Sequence, residues 1–108
     1  MFTAEIHQLA TRNAQIATDD YIKNHGEHPF NCGFAWVEVY GVRGNTKEGK
    51  SFKAVGFDKS YDGGYKLWNP SNNYTQDMSA KMAGCDAYVK TVKRYLPNIR
   101  MYTGSRLD

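Results

Sequence analysis

The stretch Gln76 to Leu96, QDMSAKMAGCDAYVKTVKRYL, sets Met78, Met82, Cys85, Val89, Val92 and Leu96 at successive spacings of four, three, four, three and four. That period puts all of them on one stripe, so residues 76–96 are read as an amphipathic helix. Pro97 closes it, because its ring lacks the N–H that another turn needs. An apolar stripe of this length must be buried against other elements, and the flanking sequence says which.

Upstream, residues 2–24 read as another helix, with Phe2, Ile6, Leu9, Ala10, Asn13, Ala17 and Tyr21 along one side, Thr3 as N-cap, and Gly26 and Pro29 as the stop. Between the two helices the period falls to two. Cys32 to Val42 alternates Ala35, Val37 and Val39 with Phe34, Trp36, Glu38 and Tyr40, a strand with one packed and one half-exposed face. After the polar, Gly-rich segment 43–50, Ser51 to Phe57 is expected as a second strand, giving a hairpin with the first. Residues 58–64 turn, Tyr65 to Trp68 is a third short strand, and Asn69-Pro70-Ser71 stops pairing. Beyond the second helix, Ile99 to Tyr102 reads as a last short strand. The expectation is an α+β fold in a single domain over residues 1–108. Its order is αβββαβ, with an antiparallel sheet and two helices packed on one face.

Composition narrows the function classes. Hydrophobic residues make up 41% and charged ones 23% of 108 residues, which suits one globular core and excludes a disordered chain. A net charge of +3 is too small to mark a nucleic-acid binder by bulk electrostatics, so any basic patch is local. The unbroken apolar run Gly33 to Val37 is far short of the ~20 residues of a membrane span. With no signal-peptide pattern before the first helix, Cys32 and Cys85 are expected reduced and the chain cytoplasmic, with no membrane partner. Aromatic residues reach 14%, with eight Tyr, which favours surfaces apolar in body and polar at the edge.

Several groups are candidates for chemistry. His25, Glu27, His28 and Cys32 are metal-ligand types close in sequence, but a zinc site needs three or four well-placed ligands, and histidines after a helix more often favour its dipole. No metal is expected. Cys32 with His25 or His28 lacks an orienting third group for nucleophilic catalysis. Cys85 reads as core, and Glu38, Asp58 and Asp62 show no pattern that separates two carboxylate pKa values. No catalytic residue and no cofactor is assigned. The glycine-rich sets 43–50 and 59–64 are either anion-binding turns flanked by cations or ordinary solvated loops. Aromatic residues beside them raise the first reading, because stacked rings next to cations suit a nucleotide or a single strand.

Three segments carry a resemblance: Cys32-Gly33-Phe34-Ala35-Trp36-Val37, Gly56-Phe57 to Trp68-Asn69-Pro70-Ser71, and Gly104-Ser105-Arg106-Leu107-Asp108. They resemble short, mostly uncharacterised proteins encoded by bacteriophages. The resemblance implies a phage product in the cytoplasm of an infected bacterial host, where small proteins are commonly host-directed binders or inhibitors. The order αβββα and Ser79-Ala80-Lys81-Met82-Ala83 at the second helix also resemble the double-stranded-RNA-binding domain. That family's lysine cluster is reduced here to Lys81.

The sequence therefore points to a non-enzymatic binding protein for a phosphate-bearing ligand, either a nucleotide-like small molecule, slightly favoured by the low net charge, or a nucleic acid. Arg43, Lys47 and Lys50 are expected to supply charge, Trp36, Tyr65 and Trp68 to stack, and Arg106 to close over the ligand as a tail cation. The alternatives are an inhibitor gripping a host protein through the aromatic face and, third, a small enzyme acting on nucleotides. Homo-oligomers are open to all three.

Overall fold

The computed structural model describes residues 1–28 and 30–107. Among them the elements run α1 (Ala4–His25), β1 (Gly33–Tyr40), α2 (Lys47–Ala54), β2 (Asp58–Lys59), β3 (Tyr65–Trp68), α3 (Met78–Tyr95) and β4 (Arg100–Leu107). The strands form one antiparallel sheet in the order β2-β3-β1-β4. The α+β class and the antiparallel sheet are as expected. The order αβββαβ is not, and with it goes the topological likeness to the double-stranded-RNA-binding domain.

The correction lies in residues 47–57. Ser51 to Phe57, expected as a strand, instead holds the end of α2 and a tight turn. Thr46 caps the helix by accepting from Gly49 N at 3.1 Å, and Phe52 is fully buried, stacked on Phe2 at 4.1 Å between ring centroids. Phe57 meets both rings edge-on. A short segment with Phe residues five apart can thus fill a core corner as a helix and turn, and the hairpin with β1 is replaced by β1 pairing with β3 and β4.

Thr3 caps α1 as read, its hydroxyl accepting from Ile6 N at 3.2 Å, and Gly26 ends it at φ 73°. Buried Phe2 lies edge-on to His7, a staple across the cap. The stopping role read for Pro29, and Asp108 of the closing segment, lie outside the described residues. Helix α1 packs on α3 through small residues: Ala10, Ala14 and Thr18 are buried, and Thr18 Oγ1 donates to Ala80 O at 2.9 Å. A Cβ on Gly84 would press on Thr18, so this glycine permits the close approach. Helix α3 also packs on β1 and β4, whose Ala35, Val37, Val39 and Met101 join Cys85, Tyr88 and Val92 in the core.

Asp77 caps α3. Its carboxylate, 1% exposed, accepts from Ser79 N, His28 N and Asn31 Nδ2, each at 2.9 Å, and so ties the loop after α1 to the start of α3. After β3, Asn69 and Asn72 take the left-handed conformation and turn the chain away, which is the stop read at Asn69-Pro70-Ser71. Strand β4 runs to Leu107, well beyond the expected Tyr102.

Candidate functional site: the open face of the sheet

Strand alternation sends Ala35, Val37 and Val39 into the core and leaves Phe34, Trp36, Glu38 and Tyr40 on the opposite face. Directly opposed residues of antiparallel strands share a face, so the register completes it. Trp36 stands opposite Trp68 on β3 and Gly104 on β4. Glu38 stands opposite Lys66 and Tyr102, Phe34 opposite Arg106, and Tyr40 opposite Arg100. Residues 33–37, 65–68 and 104–107 thus contribute adjacent strands of one surface.

The rings form two groups. Trp36 and Trp68 are 4.8 Å apart at a 47° tilt, and Phe34 meets Trp68 edge-on at 6.2 Å. Tyr40 and Tyr102 form the second group at 6.3 Å. Gly104 makes room for the first, because a Cβ there would collide with the Trp36 indole.

Cations lie on these rings. Lys66 Nζ is 4.9 Å from the Trp36 centroid, the Arg106 guanidinium 5.5 Å and Lys81 Nζ 5.6 Å from Phe34, and Lys93 Nζ 5.4 Å from Tyr102. Lys81 is also held by Gly33 O at 2.9 Å. Trp68 at 49% and Tyr102 at 47% exposure are the two rings most open to solvent on this face. Beside Trp68, a concavity of about 520 Å³ is lined by Asp58, Lys59, Ser60, Tyr61 and Lys66.

At the face's centre, Trp36 Nε1–H donates to Glu38 Oε2 at 2.9 Å. At its lower edge the Tyr40 hydroxyl donates to Asp62 Oδ2 at 2.7 Å, which pushes the phenol up to about 12 and holds the Asp62 carboxyl below its usual range.

The residues singled out in the sequence divide. Trp36, Trp68 and Arg106 share the open face, with Arg106 held in β4 rather than on a free tail. Tyr65 does not join them. It is 3% exposed on the core side of β3, with Lys53 Nζ 5.9 Å above its ring. Arg43, Lys47 and Lys50 are exposed on α2 and the turn before it, not on the sheet face, because the expected hairpin that would have flanked the rings is a helix. Phe34, Lys66, Lys81 and Tyr102 were not assigned to the site from sequence. The alternation of β1 already gave Phe34 its face, whereas Lys66 and Tyr102 needed the register.

Of the metal-ligand types at the end of α1 and beyond it, His25, Glu27 and Cys32 take other partners. His25 stacks on Tyr21 at 4.5 Å, Glu27 accepts from Thr75 Oγ1 at 2.9 Å, and Cys32 Sγ lies 3.6 Å from Gln76 Oε1. Among the described residues no group of three or more His, Cys, Asp or Glu side chains could hold a metal ion. Cys85 is core, as read, and burial pushes its thiol up to about 12. Among the described residues no helix is long and apolar enough to cross a membrane. No family model, curated protein or solved structure matches the chain, so the site rests on its own geometry.

Proposed function

We propose that the chain is a binding protein whose open sheet face takes a phosphate-bearing ligand with a stackable ring. The observation that carries this is the joining of Phe34, Trp36 and Trp68 to Lys66, Lys81 and Arg106 on one solvent-facing surface. Rings offer the ligand's base a sequence-tolerant platform, and neighbouring cations meet its phosphate. The concavity beside Trp68, bounded by Lys59 and Lys66, is where a ring and a phosphate can be held together. In the reading suggested by the phage resemblance, the protein works in the cytoplasm of an infected bacterium against a host system.

Titration with mono-, di- and cyclic nucleotides and short single strands, read by intrinsic Trp fluorescence at low salt, tests this. Saturable binding is expected. Trp68→Ala should weaken it about tenfold with little salt dependence, in line with stacking worth roughly 1–3 kcal/mol per base. Lys66→Ala and Arg106→Ala should weaken it and flatten its salt dependence, because each removes a screened contact. No saturable change with any of these ligands would remove the proposal. The rival, a grip on a host protein through the same face, draws on the half-exposed Trp68 and Tyr102 as interface anchors. It predicts no affinity for free nucleotides at any ionic strength.

A further inference from the structure

The two most open rings of the face do not belong to one cluster. Trp68 is on β3 and Tyr102 on β4, with β1 between them. Trp68 is in register with Trp36, while Tyr102 is in register with Glu38, two residues further along. Two inter-strand steps and two residues of rise put these positions about 12 Å apart. A single stacked base covers one of them. A chain of bases, rising about 3.4 Å per nucleotide when stacked and more when extended, is needed to reach both.

Charge is arranged to suit such a chain. Lys66, and Lys59 at the rim of the concavity, lie on the β2–β3 side. Arg106 and Arg100 lie on β4 and Lys93 over Tyr102, while Lys81 reaches Phe34 and Gly33 O on β1 from α3. The carboxylate of Glu38 sits between, fixed by the Trp36 indole N–H. A phosphate over the middle of the face would be repelled by Glu38, and one on the β2 side would meet Asp58 opposite Lys66, whereas phosphates along the β4 margin meet Arg106, Arg100 and Lys93. Bases inward and phosphates outward describes a single strand laid across the sheet with its bases splayed onto the rings. A duplex, with its bases stacked inside and phosphates outside, cannot offer base faces to Trp68 and Tyr102.

Resting on the reading of the open face as a phosphate-ligand site, we infer that its occupant is single-stranded nucleic acid, bound by bases that stack on Trp68 and Tyr102 together. Affinity then depends on length. Oligothymidylates and oligouridylates of one, two, four and eight nucleotides, and a stable duplex of about twenty base pairs, are titrated against the full chain by fluorescence anisotropy and calorimetry. The four-nucleotide strand should bind at least about tenfold tighter than the mononucleotide, with stacking as the source. Tyr102→Ala should weaken the four-nucleotide strand about fivefold or more and leave the mononucleotide within about twofold. Tyr102→Leu, which keeps apolar bulk without a ring, should behave the same, and far-UV circular dichroism checks that both variants are folded.

Equal affinity for one and four nucleotides, or tighter binding of the duplex, overturns the inference while leaving the phosphate-ligand reading in place. An unchanged length dependence in folded Tyr102→Ala and Tyr102→Leu overturns it as well. Absence of binding to every probe, with a tight complex formed on a protein partner, overturns both.

Discussion

Gly104 shows how far one residue sets the site. Its missing side chain lets the Trp36 indole lie across β4, within reach of Glu38 and beside Trp68. Gly104→Val should therefore push the indole out, break the Trp36–Glu38 hydrogen bond and destabilise the protein by about 1–3 kcal/mol, as overpacking usually does. Chemical denaturation checks the cost, and unchanged stability would mean that the indole swings aside freely. At this scale the sequence was partly legible. Period-two alternation placed Phe34 and Trp36 on the half-exposed face without knowledge of the partners. It did not place Arg106, because Thr103-Gly104-Ser105-Arg106 has a polar composition that reads as a tail. Backbone pairing with β1, not side-chain pattern, makes it a strand. Tyr65 was misassigned because a strand of four residues with Tyr65, Leu67 and Trp68 gives no clear inner face until its partner is known.

At the scale of elements, α3 and β1 were legible because long periodic patterns leave little choice. Even so, the stripe read on α3 was only part of its buried surface. Ala80, Gly84, Tyr88 and Thr91 are buried as well, and small or polar residues such as these do not announce a helix contact. Helix α2 was hidden for a different reason. It is eight residues long, includes Gly49, and carries one aromatic residue, Phe52, which is too short a pattern to separate a helix from a strand. The N-terminus of α3 supports a prediction of its own. Burial acts to raise the Asp77 pKa, but hydrogen bonds from His28 N, Asn31, Ser79 N and Ala80 N outweigh it and hold the carboxyl below the usual carboxylate range. A lowered folded pKa means that this stabilisation is fully present above about pH 4 and is lost as pH falls through the folded value. Asp77→Ala should cost roughly 2–3 kcal/mol at neutral pH, through the lost cap and the orphaned donors around it. The variant should also lose less stability than the parent between pH 5 and pH 2. Urea melts across that range measure both.

Over the whole molecule, α1 and α3 are joined by a hydrogen bond between His7 Nδ1 and the fully buried Tyr88 hydroxyl at 2.7 Å. Burial pushes the Tyr88 phenol well up and lowers the His7 pKa from 6.5. With its pKa depressed in the folded state, His7 favours folding while neutral. Its contribution is present above pH 6.5 and lost as pH falls through the folded value. Global stability should decline from pH 7 to pH 5 by an amount that His7→Gln reduces, and thermal melts at the two pH values read the difference. An equal decline in both proteins would assign the slope to other groups. The melts also have a native marker in the indole pair. Trp36 and Trp68 are the chain's two tryptophans, and their rings are 4.8 Å apart only because β1 and β3 are in register. Transition dipoles at that separation couple as an exciton pair, so the folded chain carries a bisignate circular-dichroism signal that vanishes when the two strands separate.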